Sequence, residues 1–160
     1  MKQISKNDID FHVIEPDRHS QNPCKGVIRE VRSKWFRNMI RNRVTRRLWD
    51  YGMQWVCENM QQTSTQAGGL TGCTPIESVT GKTVDISEYL DFGLYDQVWY
   101  HENAGLGERL HGRWLGVSHR IGSLISYYIL TQTGSVISGT KVQRVTNLEV
   151  QIDGHKALFA

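Results

Sequence analysis

A cationic segment, residues 24–47, holds the side chains of this sequence that are best suited to chemistry. It carries nine Lys and Arg residues against a single carboxylate, Glu30, so its local charge is +8 while the whole chain carries +3. Arginine binds phosphate oxygens through a planar fork of donors. The segment therefore predicts contact with DNA or RNA, the alternative being a solvated helix face without a ligand. The predicted nucleic-acid-binding residues are Lys25, Arg29, Arg32, Lys34, Arg37 and Arg41.

One helix is expected to position most of these cations. Pro23 suits the first position of a helix, the Asn before it suits the N-cap, and the pattern predicts an end near Asn42. Apolar residues recur at helical spacing and predict one stripe that needs a partner surface. The stripe comprises Val27, Ile28, Val31, Trp35 and Met39. Lys25, Arg29 and Arg32 follow one another at i, i+4 and i+7, so they share a neighbouring face of the helix.

Two more helices are predicted before the composition changes. The first runs from about Arg46 to Gln62, and its aromatic residues are expected in the core rather than as a platform for stacking bases. Thr74 and Glu77 have the spacing of a capping box at the start of a short helix. Gly81 would end that helix.

The second half of the chain is rich in short β-type runs separated by glycines. The five predicted strands are Gln97–His101, Arg113–Val117, Ser126–Leu130, Ser135–Ser138 and Lys141–Val145. Five short strands with turn signals indicate a small barrel, so the expected fold class is α+β. At least half of the barrel aromatics are expected in the core. The predicted division is 1–62 for the first helices, 63–93 for a linker with a short helix, 94–149 for the barrel and 150–160 for a tail.

Four blocks of sequence occur in the order found in one known family. They are Gln21-Asn22-Pro23 with the basic helix, Leu48-Trp49-Asp50, Thr74-Pro75-Ile76-Glu77-Ser78-Val79-Thr80-Gly81 followed by Phe92-Gly93, and Gly112-Arg113-Trp114-Leu115-Gly116-Val117-Ser118. Across roughly residues 14–149 the chain resembles the integrase region of copia-type long-terminal-repeat retrotransposon Pol polyproteins. The resemblance implies the last helices of a ribonuclease-H-like catalytic core, followed by a small five-stranded barrel like the Src-homology-3 fold.

This sequence differs from the family at the position of a catalytic residue. Members of the family join DNA with Mg²⁺ ions held by two Asp and one Glu, and Lys25 stands where that Glu is expected. The upstream Asp has no clear equivalent, since Asp8, Asp10 and the nearby acids lie too close in sequence. We therefore expect no catalytic residue, no metal ligand and no retained Mg²⁺. In the family, the positions of Arg29 and Arg32 face the DNA end.

Three functions follow from these observations. The first is a truncated or degenerate integrase segment that binds DNA, without catalytic activity alone. The second is a part of an active polynucleotidyl transferase whose carboxylates come from a longer polyprotein. The third is a protein-interaction barrel with no nucleic acid affinity. The expected partners are DNA, from element ends or target, and other parts of a Pol polyprotein.

Composition and the cysteine pattern allow a prediction of where in the cell the protein is located. No apolar run approaches the roughly 18 residues of a membrane span, and the polar N-terminus lacks the apolar region of a signal peptide. The chain has three cysteines, Cys24, Cys57 and Cys73. Because their number is odd and their spacing is not that of a metal site, we expect them to be reduced, buried thiols. The expected location is therefore nuclear or cytoplasmic rather than secreted, with no membrane contact.

Overall fold

Helices precede a single sheet in the computed structural model, which describes residues 23–64, 72–83, 85–101, 107–119, 125–146 and 148–149. The helices are α1 (Pro23–Arg41), the short 3₁₀ helix Arg46–Leu48, α2 (Trp49–Gln62), α3 (Pro75–Thr80) and α4 (Ser87–Leu90). The strands are β1 (Gln97–His101), β2 (Arg109–Ser118), β3 (Ser126–Thr131), β4 (Val136–Gly139) and β5 (Val142–Arg144). The predicted α+β class is confirmed. The predicted N-cap at Asn22 and the tail 150–160 lie outside the described residues.

The capping box of α3 forms as its spacing predicts. The Glu77 amide donates to Thr74 Oγ1 at 3.1 Å, and the Thr74 amide donates to Glu77 Oε2 at 3.4 Å. Gly81 ends the helix in the left-handed region at φ 66°, which glycine adopts without steric cost. Helix α3 is thus specified almost entirely by local sequence.

Helix α1 ends in a turn that places a non-glycine residue in the left-handed region. Arg43 has φ 53°, its amide donates to the Ile40 carbonyl at 3.1 Å, and the Val44 amide donates to the Met39 carbonyl at 2.9 Å. This is the hydrogen-bond pattern of a Schellman motif, in which glycine normally holds the position of Arg43. The turn redirects the chain into the 3₁₀ helix before α2.

Close packing at Gly52 joins α1 to α2. A Cβ atom at Gly52 would lie 2.7 Å from Met39 Sδ, so any larger residue would have to displace the Met39 side chain. Trp35 Nε1 donates to the Trp49 carbonyl at 3.1 Å, which fixes the crossing at a second point. The indole of Trp49 is itself 55% exposed, so the prediction that the aromatics of α2 lie in the core is wrong for this residue.

The sheet is antiparallel and confirms the five predicted strands, although β2 is longer than expected. Its strand order is β4-β3-β2-β1-β5, so β4 and β5 are the two edges. The register of β2 against β3 shifts between Trp114 and Gly116, which marks a bulge. Within the described residues no hydrogen-bonded ladder joins β4 to β5, and the sheet is open.

Connectivity nevertheless requires this sheet to curl strongly. Only Thr140 and Lys141 join β4 to β5, so the Cα atoms of Gly139 and Val142 lie within about 11 Å of each other. In a flat sheet of five strands the edges would be about 19 Å apart. The two edge strands therefore approach each other at this connection.

The core lies between the sheet and the helices that follow α1. Its buried cluster comprises Phe92, Val98, Tyr100, Trp114, Val117, Tyr127 and Ile129. Trp55 of α2 packs against this cluster, and the Tyr51 ring meets the Tyr128 ring edge-on at 5.4 Å. Arg47 adds a hydrogen bond from Nη2 to the Gly134 carbonyl at 2.9 Å. Helix α2 is thus fastened to the sheet, and the predicted domain boundaries stay a prediction.

The cysteines differ from the sequence-based expectation. Cys24 and Cys73 are exposed, Cys57 is half-buried, and all three are reduced thiols rather than disulfides. The prediction of buried thiols is therefore wrong for Cys24 and Cys73, because both lie near helix N-termini that face solvent.

Candidate nucleic-acid interface

All six predicted nucleic-acid-binding residues lie on α1, and five of them are exposed while Lys34 is half-buried. Helix α1 contains one acid, Glu30, and none in its first turn. A helix of this charge would be destabilised by self-repulsion unless its cations are spread around it or paired. Both occur here.

Helical geometry divides the six cations into two strips. At about 100° per residue, Lys25, Arg29 and Arg32 fall within about 60° of one another; we call these three residues the Arg29 strip. By the same spacing Lys34, Arg37 and Arg41 fall within about 60° of one another, centred about 150° from the first set; these three form the Arg37 strip. The sequence prediction named all six residues and placed Lys25, Arg29 and Arg32 on one face; the helix places Lys34, Arg37 and Arg41 on a second face.

The Arg37 strip is partly committed to intramolecular contacts. Lys34 Nζ pairs with Glu30 Oε1 at 2.8 Å, which places the single acid of the helix on this side. Arg37 donates from Nε to the Ser33 carbonyl and from Nη2 to Ser33 Oγ, each at 3.3 Å. These contacts lower the positive potential of the strip and occupy some of its donors.

The Arg29 strip keeps its guanidinium groups available. Among the described residues, neither Arg29 nor Arg32 takes part in an ion pair or hydrogen bond, and both are exposed. Phe36 and Ile40 lie on the same face, with 58% and 61% of their surfaces exposed. This side of α1 thus combines cationic donors with uncovered apolar surface.

Phe36 and Ile40 are absent from the sequence-based site. A signal for them existed, since both fall off the predicted apolar stripe and onto the face of Arg29 at helical spacing. The stripe itself is only partly buried. Met39 is 8% exposed, but Val27 and Ile28 are 50% and 57% exposed. The first turns of the stripe therefore leave apolar surface exposed.

The described residues do not fit a Mg²⁺ site. They contain no group of three or more His, Cys, Asp or Glu side chains that could hold a metal ion. Lys25 is exposed, and the nearest acid on its helix, Glu30, is engaged by Lys34. Asp8 and Asp10 lie outside the described residues, so the expected lack of a metal stays a prediction for the whole chain.

The sheet offers little stacking surface of its own. Trp99, Trp114 and Tyr127 are 6%, 0% and 7% exposed, which confirms the prediction that at least half of the barrel aromatics are core residues. Arg109 covers Trp99 further, with its guanidinium carbon 4.7 Å from the ring centroid.

The fold and this surface define an α+β protein with a strip of available arginines on its first helix. Comparison of the chain with models of protein families, with curated proteins and with solved structures found no match. Within the described residues none of the helices has both the length and the apolar character needed to cross a bilayer.

Proposed function

We propose that this chain binds DNA through Lys25, Arg29 and Arg32 and performs no phosphoryl transfer on its own. The observation that carries the proposal is the Arg29 strip, which is exposed and lacks carboxylate partners for its two arginines among the described residues. Cations held in this way bind phosphates and release the counterions condensed on DNA, which is the main source of sequence-independent affinity. Such contacts position a duplex without reading its sequence.

The remaining cations have a lesser role in this proposal. Lys34 and Arg37 already interact with Glu30 and Ser33, so DNA must compete with those contacts. Phe36 and Ile40 can pack against the sugar edges of a bound strand, because both flank the arginines and are exposed. The Arg29 strip is therefore expected to supply most of the affinity.

The proposed identity is an integrase-like segment of a copia-type retrotransposon. In this proposal α1 and α2 correspond to the last helices of a ribonuclease-H-like core, and the sheet corresponds to a barrel like the Src-homology-3 fold. The two-residue connection between Gly139 and Val142 supports the barrel, because it draws the edge strands together. The partners would be DNA and other parts of a Pol polyprotein, in the nucleus or cytoplasm.

A protein-interaction role is the second candidate. It is favoured by Val27 and Ile28, which belong to the apolar stripe of α1 and yet expose half or more of their surface. A protein that acted only in this way would show no affinity for DNA that depends on Arg29 or Arg32.

Two double variants with the same change of charge test the proposal. Fluorescence anisotropy with a short labelled duplex would compare wild type with Arg29→Ala/Arg32→Ala and with Arg37→Ala/Arg41→Ala. We expect the first variant to lose about tenfold in affinity and the second to lose about threefold or less, since phosphate contacts give the affinity. Equal losses would show that net charge alone acts, and no binding by a folded wild type would reject DNA contact. Circular dichroism controls for helix content.

A further inference from the structure

A cleft of about 400 Å³ opens where the end of α1 meets the sheet. It is lined by Asn42, by residues 94–97 of the loop before and at the start of β1, and by Arg113 and Arg144 of the neighbouring strands. Asn42 lies between Arg41 and Arg43, so the basic segment of the chain reaches the rim of the cleft.

Tyr95 is held in the cleft in a conformation that tyrosine seldom adopts. Its φ is 70°, in the left-handed region where a Cβ atom is sterically unfavourable. The backbone around it imposes this geometry, since the Tyr95 amide donates to the Trp114 carbonyl at 2.8 Å and the Trp114 amide donates to the Asp96 carbonyl at 2.9 Å. Glycine would satisfy the same backbone without strain, but it would place no ring in the cleft.

Two guanidinium groups line the same cleft as this ring. The Arg113 guanidinium carbon lies 4.9 Å from the Tyr95 ring centroid, and its Nη1 donates to the Tyr95 carbonyl at 3.4 Å. Arg144 Nη2 donates to the Asp91 carbonyl at 2.6 Å and meets Asp96 Oδ2 at 3.5 Å. The Arg144 side chain is still 60% exposed. The cleft thus joins a flat aromatic and guanidinium surface to cationic donors.

We propose that this cleft binds one unpaired nucleotide of the DNA that α1 holds, an inference that rests on the proposed function. A nucleotide presents both chemistries found here, a ring face for Tyr95 and Arg113 and a phosphate for Arg144. Bases inside a duplex have their faces covered by neighbours, so the ligand is a single-stranded end or overhang. Asn42 lies about 20 Å along the helix from Arg29, a distance of about six base steps of duplex.

The test compares three labelled duplexes: one is blunt, and the other two carry a single-stranded overhang of about six nucleotides at the 5′ or the 3′ end. Tyr95→Gly removes the ring and relieves the backbone, so it leaves a folded protein, and Tyr95→Phe is the matched control that keeps the ring. We expect wild type and Tyr95→Phe to bind one overhang duplex about tenfold more tightly than the blunt one, and Tyr95→Gly to lose that preference. A fluorescent purine analogue in the overhang should be quenched in the same two proteins.

The outcomes separate this inference from the proposal on which it rests. Equal affinity of wild type for blunt and overhang duplexes, or a preference that survives in Tyr95→Gly, overturns the nucleotide cleft while DNA binding through Arg29 and Arg32 stands. Failure of the folded wild type to bind either duplex overturns both.

Discussion

Glu58 and His119 join the second helix to the end of the second strand across 61 residues of sequence, with Oε1 and Nε2 3.1 Å apart. The Glu58 side chain is only 15% exposed, whereas that of His119 is 55% exposed. The same Glu58 oxygen accepts from Gln54 Nε2 at 2.7 Å. This contact adds a polar tie between helix and sheet to the apolar packing of Trp55.

The contact between Glu58 and His119 should be measurable as a coupling energy in a double-mutant cycle. We expect Glu58→Ala to lower the free energy of unfolding by about 1–2 kcal/mol, because a partly buried acceptor with two donors is removed. His119→Ala should cost less than about 1 kcal/mol, since the imidazole is largely exposed. Urea denaturation of both single variants and the double variant gives the coupling between them. Strict additivity would show that the contact contributes nothing.

Substitution by alanine is expected to have opposite effects on stability at two glycines, Gly26 and Gly112. A Cβ at Gly26 in α1 would meet none of the described residues within 4 Å, whereas a Cβ at Gly112 in β2 would lie 2.7 Å from Ile129 Cγ2 and 2.8 Å from the Leu130 carbonyl. Gly26→Ala should stabilise the protein by about 0.5–1 kcal/mol through helix propensity. Gly112→Ala should destabilise it by about 1–3 kcal/mol through overpacking. Chemical denaturation of both variants and of wild type measures these changes in the free energy of unfolding. A Gly112→Ala variant as stable as wild type would contradict the packing of β2 against β3.

The end of α1 should be stabilised by glycine at a single position. Arg43→Gly removes a side chain from the left-handed region at φ 53° and is expected to raise the free energy of unfolding by about 1 kcal/mol. Arg41→Gly changes the charge equally but lies in the helix, so it should lower stability by about 0.5–1 kcal/mol. Thermal unfolding of both variants checks the opposite signs. A loss of stability in Arg43→Gly would rule out strain at this turn.

Much of this fold is readable from local sequence, and α3 shows why. Thr74, Glu77 and Gly81 specify its cap and its end through contacts within a few residues, so no tertiary information is needed. The five strands follow equally from β-type runs between glycines. The curl of the sheet could not be predicted from local sequence, because it depends on which strands become the edges of the sheet. Only the pairing of β5 with β1 puts Val142 opposite Tyr100.

The candidate site was predictable in part. Charge alone indicated α1, and helical spacing separates Arg29 from Arg37, but the sequence could not show that Lys34 and Arg37 are engaged by Glu30 and Ser33. The cleft at Tyr95 lay beyond sequence reasoning. Its backbone strain and its contact with Arg113 arise from the meeting of a loop, two strands and the end of a helix.

Acid should weaken the hydrogen bond between Thr146 and Glu149 near the end of the described residues. The Thr146 amide donates to Glu149 Oε2 at 2.8 Å, and this hydrogen bond lowers the pKa of the Glu149 carboxyl from its ordinary value of 4.5. A lowered pKa in the folded state means that the charged form stabilises the fold above the ordinary pKa, and that this contribution is lost as pH falls through the folded value.

Glu149→Gln removes that titration. The difference in stability between wild type and Glu149→Gln should be constant above about pH 5.5 and should shrink below about pH 4.5. Urea midpoints of both proteins across this range provide the measurement. A difference that grows as the solution is acidified would reverse the sign and contradict the hydrogen bond to Thr146.

The salt dependence of DNA binding tests the central claim most directly. If Lys25, Arg29 and Arg32 each neutralise one phosphate, the slope of log affinity against log salt is about −2.7 for a duplex. Between about 50 and about 200 mM salt, wild type should then lose about fortyfold in affinity. Arg29→Ala/Arg32→Ala should retain a slope of about −0.9. A wild-type slope near zero, or one that Arg29→Ala/Arg32→Ala leaves unchanged, would contradict DNA binding through the Arg29 strip.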